Sequence, residues 1–410
     1  MKPRMLFLTT LLPFPLDNGG KIKTYNTIEA LSRNYDIDLI CYINKKEDLV
    51  YVENIKSIVK DIQVVQKNVI RSTSLKNFVF DYFKSLISVY PYSINKFYTS
   101  ELKNKIINKL KEEDYDYIYI DHLPMMVYQH LFSKNKLVLD QHNVESLIFK
   151  RLIETESNFI KKALGLLEFI KLKRFEIKSL QLAQQIICLS ENDKEVFKGF
   201  GIKEEKLNVI PIHLKLNKKY EYQKKEKDKL KILFLGSMSW YPNQNGIRWF
   251  MENVWVNLNQ NDYEMYIVGS NPPSNIQKYH NGQNVFVTGY VDDVDEYIRQ
   301  CDVSVVPLFV GSGQRVKIIE SFAKGLPVIS TSIGAEGLVY EKNKSIIIAD
   351  NAKQFIDSLN MLKKDTNKLI ELSENGKKLF CKYYSFENLP HKLTYVLNKL
   401  DLEDDLVEKK

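Results

Sequence analysis

The sequence predicts an α/β protein built from two doubly wound parallel-sheet domains that face each other across a cleft. Three observations carry the prediction. Short apolar segments alternate with helical patterns through residues 1–214, a lysine-rich stretch interrupts the rhythm at 215–230, and a second alternating unit starts at 231. Strands alternating with helices imply parallel pairing through crossovers. Two such halves put a ligand cleft at the carboxyl ends of their strands. The length of 410 residues agrees, since domains run to about 100–200 residues.

Residues 4–10 read as a buried strand. They do not read as the core of a signal peptide, because Pro13 and Pro15 cut the apolar run and no small-residue cleavage site follows. A loop holding Asp17, Asn18, Gly19 and Gly20 leads to a helix over 23–33, where Tyr25, Ile28 and Leu31 recur at helical spacing. Strands are expected at 37–43, 115–120, 137–139 and 185–189, the last followed by Ser190 at a helix start. The stretch 215–230 has seven lysines, three acidic residues and no periodic apolar face, so it reads as an exposed linker.

In the second half, strands are expected at 231–235, 264–268, 285–288, 303–307, 327–330 and 345–348. Helices are expected at 246–258, after a loop over 236–245, at 294–300, and around 317–323. Residues 385–400 carry Phe386, Leu389, Leu393, Val396, Leu397 and Leu400 at helical spacing, so a last helix is expected to return to the first domain. The charged tail 401–410 is expected to fray.

Composition narrows the function. Apolar residues make up 44%, which excludes a mainly disordered chain. The four cysteines (Cys41, Cys188, Cys301 and Cys381) are dispersed and form no CxxC pair. Neither a disulfide scaffold nor a thiolate zinc site is expected, and the expected setting is a reducing cytoplasm. No apolar run reaches the roughly 18–20 residues of a membrane span.

The net charge of +8 is uneven: residues 1–230 hold 39 Lys/Arg against 29 Asp/Glu, while 231–410 hold 20 against 22. Phosphate-bearing substrates, an anionic membrane surface or nucleic acid could exploit that excess. Residues 71–111 interleave eight cations with Phe78, Phe80, Tyr82, Phe83, Tyr90, Tyr92, Phe97 and Tyr98, and 161–178 add Lys161, Lys162, Lys171, Lys173, Arg174 and Lys178. A bilayer contact and an ordinary solvated helix pair both fit these segments; no nucleic-acid reading motif is present.

Three places could carry chemistry. The Gly19–Gly20 loop lets a backbone approach a ligand, and the helix N-terminus behind it suits an anion. His142, in the run Asp140–Glu145 directly after a strand, faces the cleft in a doubly wound fold, where it could donate a hydrogen bond to a sugar hydroxyl or handle a proton near pH 7. The most informative is the run 307–320. Gly311 and Gly313 free its loop, Arg315 and Lys317 put cations at a helix start, and Glu320 follows Lys317 on the same helix face. Cations there conflict with the helix dipole, a conflict that a bound anion relieves. Asp36/Asp38, Asp114/Asp116 and Asp293/Asp295 each spell DxD, but their positions read as strand edges and a helix N-cap, so no metal is expected.

These residues resemble a GT-B glycosyltransferase of family 4, a retaining, nucleotide-sugar-dependent family. The similarity rests on Pro13 to Gly20, on the His142 segment, and on the runs 287–292, 301–307, 313–320 and 323–331. It implies that His142 contacts the donor sugar; with Lys317 and Arg315, taken from the reading of their own run, His142 makes up the expected catalytic set. It implies a donor-binding set of Gly19, Gly20, Gly236, Gly289, Tyr290, Val291, Gly311, Ser312, Gly313 and Glu320. Within that set Gly289 to Val291 sit against the base and Glu320 holds the ribose. It puts Asn143, Glu145 and His122 on the acceptor side.

The sequence departs from the family at three places. Ser312 replaces the first of the paired glutamates, and Ser237 and Asn245 replace the usual basic clamp on the diphosphate. Arg315 and Lys317 are then the candidates to replace that clamp.

The implied reaction moves a hexose-type sugar from a UDP- or GDP-type donor to a glycan or lipid-linked acceptor. The resemblance implies retention, no required cofactor and no metal. The implied place is the cytoplasm, with peripheral contact at the inner membrane face, in surface polysaccharide or glycoconjugate synthesis. A nucleotide-sugar 2-epimerase of the same shape is one alternative, and a catalytically silent glycosyltransferase-like partner protein is another.

Overall fold

The computed structural model describes residues 2–68, 88–132, 136–155, 158–216, 229–310 and 313–407. The chain divides into two compact units, Met1–Ile212 with Phe386–Lys410, and His213–Ser385.

The first unit holds a seven-stranded sheet in the order β3-β2-β1-β4-β5-β6-β7. Its strands are β1 Arg4–Thr9, β2 Asp36–Ile43, β3 Asp61–Gln66, β4 Tyr117–Asp121, β5 Lys136–Asp140, β6 Gln185–Cys188 and β7 Leu207–Val209. All pairings are parallel. The first strand is central and the order reverses between β1 and β4. That reversal is the point where doubly wound sheets open a crevice.

β1 shows how the sheet is buried on both sides. Leu6 and Leu8 enter one core cluster, while Met5 and Phe7 enter the other. Burial on both faces explains the near-continuous apolar runs of the central strands. β3 and β7 were not expected from the sequence. β3 reads DIQVVQ, in which only three of the six residues are apolar and polar ones are interspersed, and β7 is only three residues long.

Phe386, Leu389, Leu393, Val396, Leu397 and Leu400 are buried in the cluster that contains Met5 and Phe7. Each such side chain contributes about 1.5–3 kcal/mol, which is ample to hold the Leu389–Val407 helix on this unit. Fraying was expected from Asp401 onward, but the helix continues through Val407. Asp401 accepts hydrogen bonds from the Tyr117 hydroxyl (2.7 Å) and Lys136 Nζ (2.8 Å).

The second unit holds six parallel strands in the order β10-β9-β8-β11-β12-β13. They are β8 Leu230–Leu235, β9 Tyr263–Val268, β10 Val285–Gly289, β11 Val303–Val306, β12 Val328–Ser330 and β13 Ile347–Ile348. Its reversal lies between β8 and β11, repeating the plan of the first unit.

Two helix starts correct the sequence reading. The helix expected at 23–33 spans Gly19–Ser32, with the Asn18 side chain capping Lys21 N at 3.0 Å. Gly19 and Gly20 therefore form its first turn and are not part of the preceding loop. The helix expected at 246–258 spans Tyr241–Asn253. Pro242 suits the first turn of a helix, where its missing N–H costs nothing. Most of the expected linker, 217–228, lies outside the described residues, as do Phe78, Phe80, Tyr82 and Phe83.

Candidate active site

In the first unit, strand register gathers the site. Thr9 on β1 pairs with Asp121 on β4, which pairs with Asp140 on β5. Three polar side chains thus stand side by side at the carboxyl ends of adjacent central strands. Asp121 is fully buried. Its Oδ2 accepts hydrogen bonds from the Thr9 and Thr24 hydroxyls, both at 2.7 Å, and its Oδ1 lies 2.7 Å from His142 Nε2. His122 Nδ1 lies 2.9 Å from Asp121 Oδ2. The His122 and His142 rings lie in contact, tilted by 34° with centroids 3.6 Å apart. Asp140 accepts from the Tyr119 hydroxyl (2.6 Å) and pairs with buried Lys23.

Electrostatics splits the two imidazoles. Burial pushes the His142 pKa down to about 4, with the charges of His122 and Lys23 adding to the effect. Burial also opposes charge on His122, but the Asp121 carboxylate outweighs it, helped by Glu145, and the His122 pKa is raised. Of the two imidazoles, His122 is therefore the one whose surroundings favour the charged form. Neutral His142 spends its Nε2–H on Asp121 and keeps Nδ1 as an acceptor, so it suits accepting from a sugar hydroxyl better than donating to one.

His122 has φ 78°, a left-handed backbone that few side chains adopt and that concentrates at functional sites. A Cβ at Gly20 would stand 4.0 Å from His122 Nε2, so the first turn of the Gly19–Ser32 helix borders this cluster. Burial raises the Glu145 pKa against the opposing charges of His122 and Lys96 and a hydrogen bond from Asn143. The structure thus gathers Gly20, His122, His142, Asn143 and Glu145.

Asp121, His122 and His142 also form the one group of three potential metal ligands within 4.8 Å among the described residues. The Asp121 oxygens are already engaged by Thr9, Thr24 and His142. The arrangement is a hydrogen-bonded network and does not resemble an open ligand set.

In the second unit, Lys317 reaches the end of β8. Its Nζ donates to Asn243 Oδ1 (2.8 Å), and Asn243 Nδ2 donates to the Ser237 carbonyl (2.8 Å). The ammonium also lies 4.9 Å from the Phe234 ring centroid. Gly236 makes the approach possible, because a Cβ there would sit 2.7 Å from Lys317 Nζ and 2.6 Å from Asn243 Nδ2. Burial, with Arg315 adding, pushes the Lys317 pKa down to about 7.

Arg315 caps the Val316–Lys324 helix without a side-chain cap bond. It is buried, donates Nη1–H to the Gly313 carbonyl (3.0 Å), and lies 5.5 Å from the Trp240 ring centroid. Glu320, half-buried one turn along this helix, has a raised pKa because of burial, with Asp295 adding and Lys324 and Lys317 opposing. Tyr290 is exposed, whereas Val291 packs inward against the cluster of Leu233, Val268 and Ile298. Gly289 ends β10. Gly311 and Ser312 lie outside the described residues.

Residues 229–365 match the family model described as glycosyl transferases group 1. Over 389 residues the chain is 22% identical to an uncharacterized 44.6 kDa protein in the cps region of Klebsiella pneumoniae, covering 91% of this chain and 94% of that one. Over 230 residues it is 24% identical to N,N'-diacetylbacillosaminyl-diphospho-undecaprenol alpha-1,3-N-acetylgalactosaminyltransferase of Campylobacter jejuni, covering 50% and 59%. The solved structure of sucrose-phosphate synthase from Thermosynechococcus elongatus matches with a TM-score of 0.71 at 14% identity, over 98% of this chain and 100% of that one.

The fold is GT-B. The domain match and the relatives support a GT-B glycosyltransferase.

Several site residues of this GT-B chain were missed by sequence reasoning. Asp121 and Asp140 end two apolar strands, YIYID and KLVLD, and that shared ending was the available signal. Asn243 and Trp240 gave no signal, since their partners Lys317 and Arg315 are more than 70 residues away.

Proposed function

We propose that the protein is a retaining family 4 glycosyltransferase that moves a hexose-type sugar from a UDP- or GDP-type donor to a glycan or lipid-linked acceptor, without a metal. The observation that carries the reading is the Arg315–Lys317 cation pair at the β11 end, with Glu320 one turn on, inside the residues matched to the group 1 model. Departure of a nucleoside diphosphate builds negative charge on the leaving oxygen, and preorganised cations there lower the barrier. Lys317 and Arg315 do this, Glu320 accepts the ribose hydroxyls, and the Gly289–Val291 backbone takes the base.

On the sugar side, His142 Nδ1 accepts from a hydroxyl while Gly19 and Gly20 border the phosphates. Asp121 and Asp140 are held by Thr9, Thr24, His142, Lys23 and Tyr119, which makes them anchors and poor nucleophiles. That supports retention through same-face attack assisted by the leaving phosphate. The cps setting of the Klebsiella relative supports surface polysaccharide synthesis, and the diphospho-undecaprenol in the Campylobacter relative's name supports a lipid-linked acceptor at the inner membrane face.

Calorimetric titration with UDP, GDP, TDP and their sugars, with and without EDTA, tests the reading. Selective binding that ignores EDTA and is lost in Glu320→Ala is the expected result. Absence of binding to every nucleotide would sink it.

A further inference from the structure

The Phe159–Leu182 helix of the first unit has an outward face that the transferase reading leaves without a role. Its sequence contains two acidic residues, Glu168 and Glu176. Both are buried and committed to capping other helices. Glu168 accepts from Tyr92 N (3.0 Å), Ser93 N (2.9 Å) and the Ser93 hydroxyl (3.0 Å). Glu176 accepts from Glu145 N (2.8 Å) and Ser146 N (3.2 Å). The cations of the helix are turned the other way: Lys161, Lys162, Arg174 and Lys178 are exposed, and Lys171 and Lys173 are half-buried.

Between these cations runs an apolar stripe. Phe159, Leu166, Leu167 and Ile170 are 83%, 50%, 51% and 38% exposed. Their spacing of seven, eight and eleven residues from Phe159 puts them on one side of an α-helix. Val89, 91% exposed, extends the apolar surface beside it, since Lys171 Nζ donates to the adjacent Ser88 carbonyl (3.0 Å).

We propose that this face rests on an anionic phospholipid bilayer, with the stripe at the acyl boundary and the lysines on the headgroup phosphates. An aliphatic stripe flanked by cations, with no outward carboxylate, is the surface that gains from both layers of such a bilayer. A second copy of the chain is disfavoured, because a two-fold contact would set the six cations against their own equivalents. Nucleic acid is disfavoured because three of the four stripe residues are aliphatic and offer bases nothing to stack on. The inference extends the lipid-linked-acceptor reading, and its test reads binding and not turnover, so either can fail alone.

The test is co-sedimentation of the full chain with phosphatidylcholine vesicles that contain or lack phosphatidylglycerol. Binding is expected to the anionic vesicles, and high salt is expected to weaken it. L166S/L167S and, separately, K161E/K162E are each expected to lower the partition by about tenfold or more, with the thermal melt and nucleotide binding unchanged. Binding equal to wild type in both variants, or no binding to anionic vesicles, overturns the proposal. So does sedimentation velocity that shows a dimer broken by L166S/L167S without vesicles, because the occupant is then a second copy.

Discussion

Asp121 Oδ1 and His142 Nε2, from the ends of neighbouring strands, lie 2.7 Å apart, and the other Asp121 oxygen is held by Thr9 and Thr24. The carboxylate therefore fixes which imidazole nitrogen carries the proton and where the ring points. It also supplies the charge that raises the His122 pKa. Asp121→Asn keeps the volume but turns an amide N–H toward hydroxyls that now donate. Turnover should fall on the order of 10²-fold, as small misplacements do, and the His122 titration should move to lower pH. A pH–rate profile and an NMR titration of the histidines check this. An unchanged rate with an unchanged profile would reduce Asp121 to a packing role.

The donor role proposed for Lys317 predicts that nucleotide binding depends on pH. Its pKa stands near 7 because burial and Arg315 disfavour its charge, and a diphosphate selects the charged form. Nucleoside diphosphate affinity should weaken as pH rises above 7, approaching tenfold per unit. Lys317→Gln should bind more weakly at pH 6 and lose the slope. Calorimetry at several pH values, in buffers of differing ionisation heat, reports the proton taken up. The stability sign is opposite. The unfolded lysine holds its proton up to its ordinary 10.5 while the native one releases it near 7, so stability should rise with pH across that window.

Gly246 packs its helix on the β11 end. A Cβ there would stand 2.4 Å from the Pro307 carbonyl oxygen, a backbone atom that cannot rotate away. Gly246→Ala should cost about 1–3 kcal/mol by overpacking and should weaken nucleotide binding by displacing the loop that carries Gly313 and Arg315. Gly199→Ala, where nothing lies within 4 Å, is the control and should melt at or slightly above the wild-type temperature. Equal melting of the two variants would show that the helix shifts without cost.

The central strands were legible because burial on both sheet faces makes them apolar throughout, as in the Met5–Leu8 run. The stripe of Phe386 to Leu400 was legible because helical spacing survives any partner. Helix starts were not. Asn18 caps a helix whose first apolar side chain, Ile22, comes four residues later, and Trp240 precedes its helix with no capping side chain at all. In the site, Lys317, Arg315, Glu320 and His142 are chemically conspicuous wherever they fall. Asp121 left only the trace of an acidic residue closing an apolar strand, while Asn243 and Trp240 matter only through partners brought in across the fold, and no local pattern records that.

Glu176 links the basic helix to the site. It accepts from the backbone N–H of Glu145 and Ser146, and so holds the N-terminus of the Glu145–Thr155 helix, which starts two residues after Asn143. Glu176→Ala would leave these buried donors unpaired, at a cost of about 1–3 kcal/mol, and should loosen Glu145 and Asn143 together. Burial raises the Glu176 pKa to about 7. The native chain thus keeps this proton while the unfolded chain loses it near the ordinary 4.5. Native stability should therefore fall as pH rises from 4.5 to 7 and level off above. Glu176→Gln lacks this titration, so wild type should gain on it in melts at pH 5 and lose ground at pH 8. A constant difference between the two proteins would show that Glu176 is already ionised at pH 5, with its capping bonds outweighing its burial.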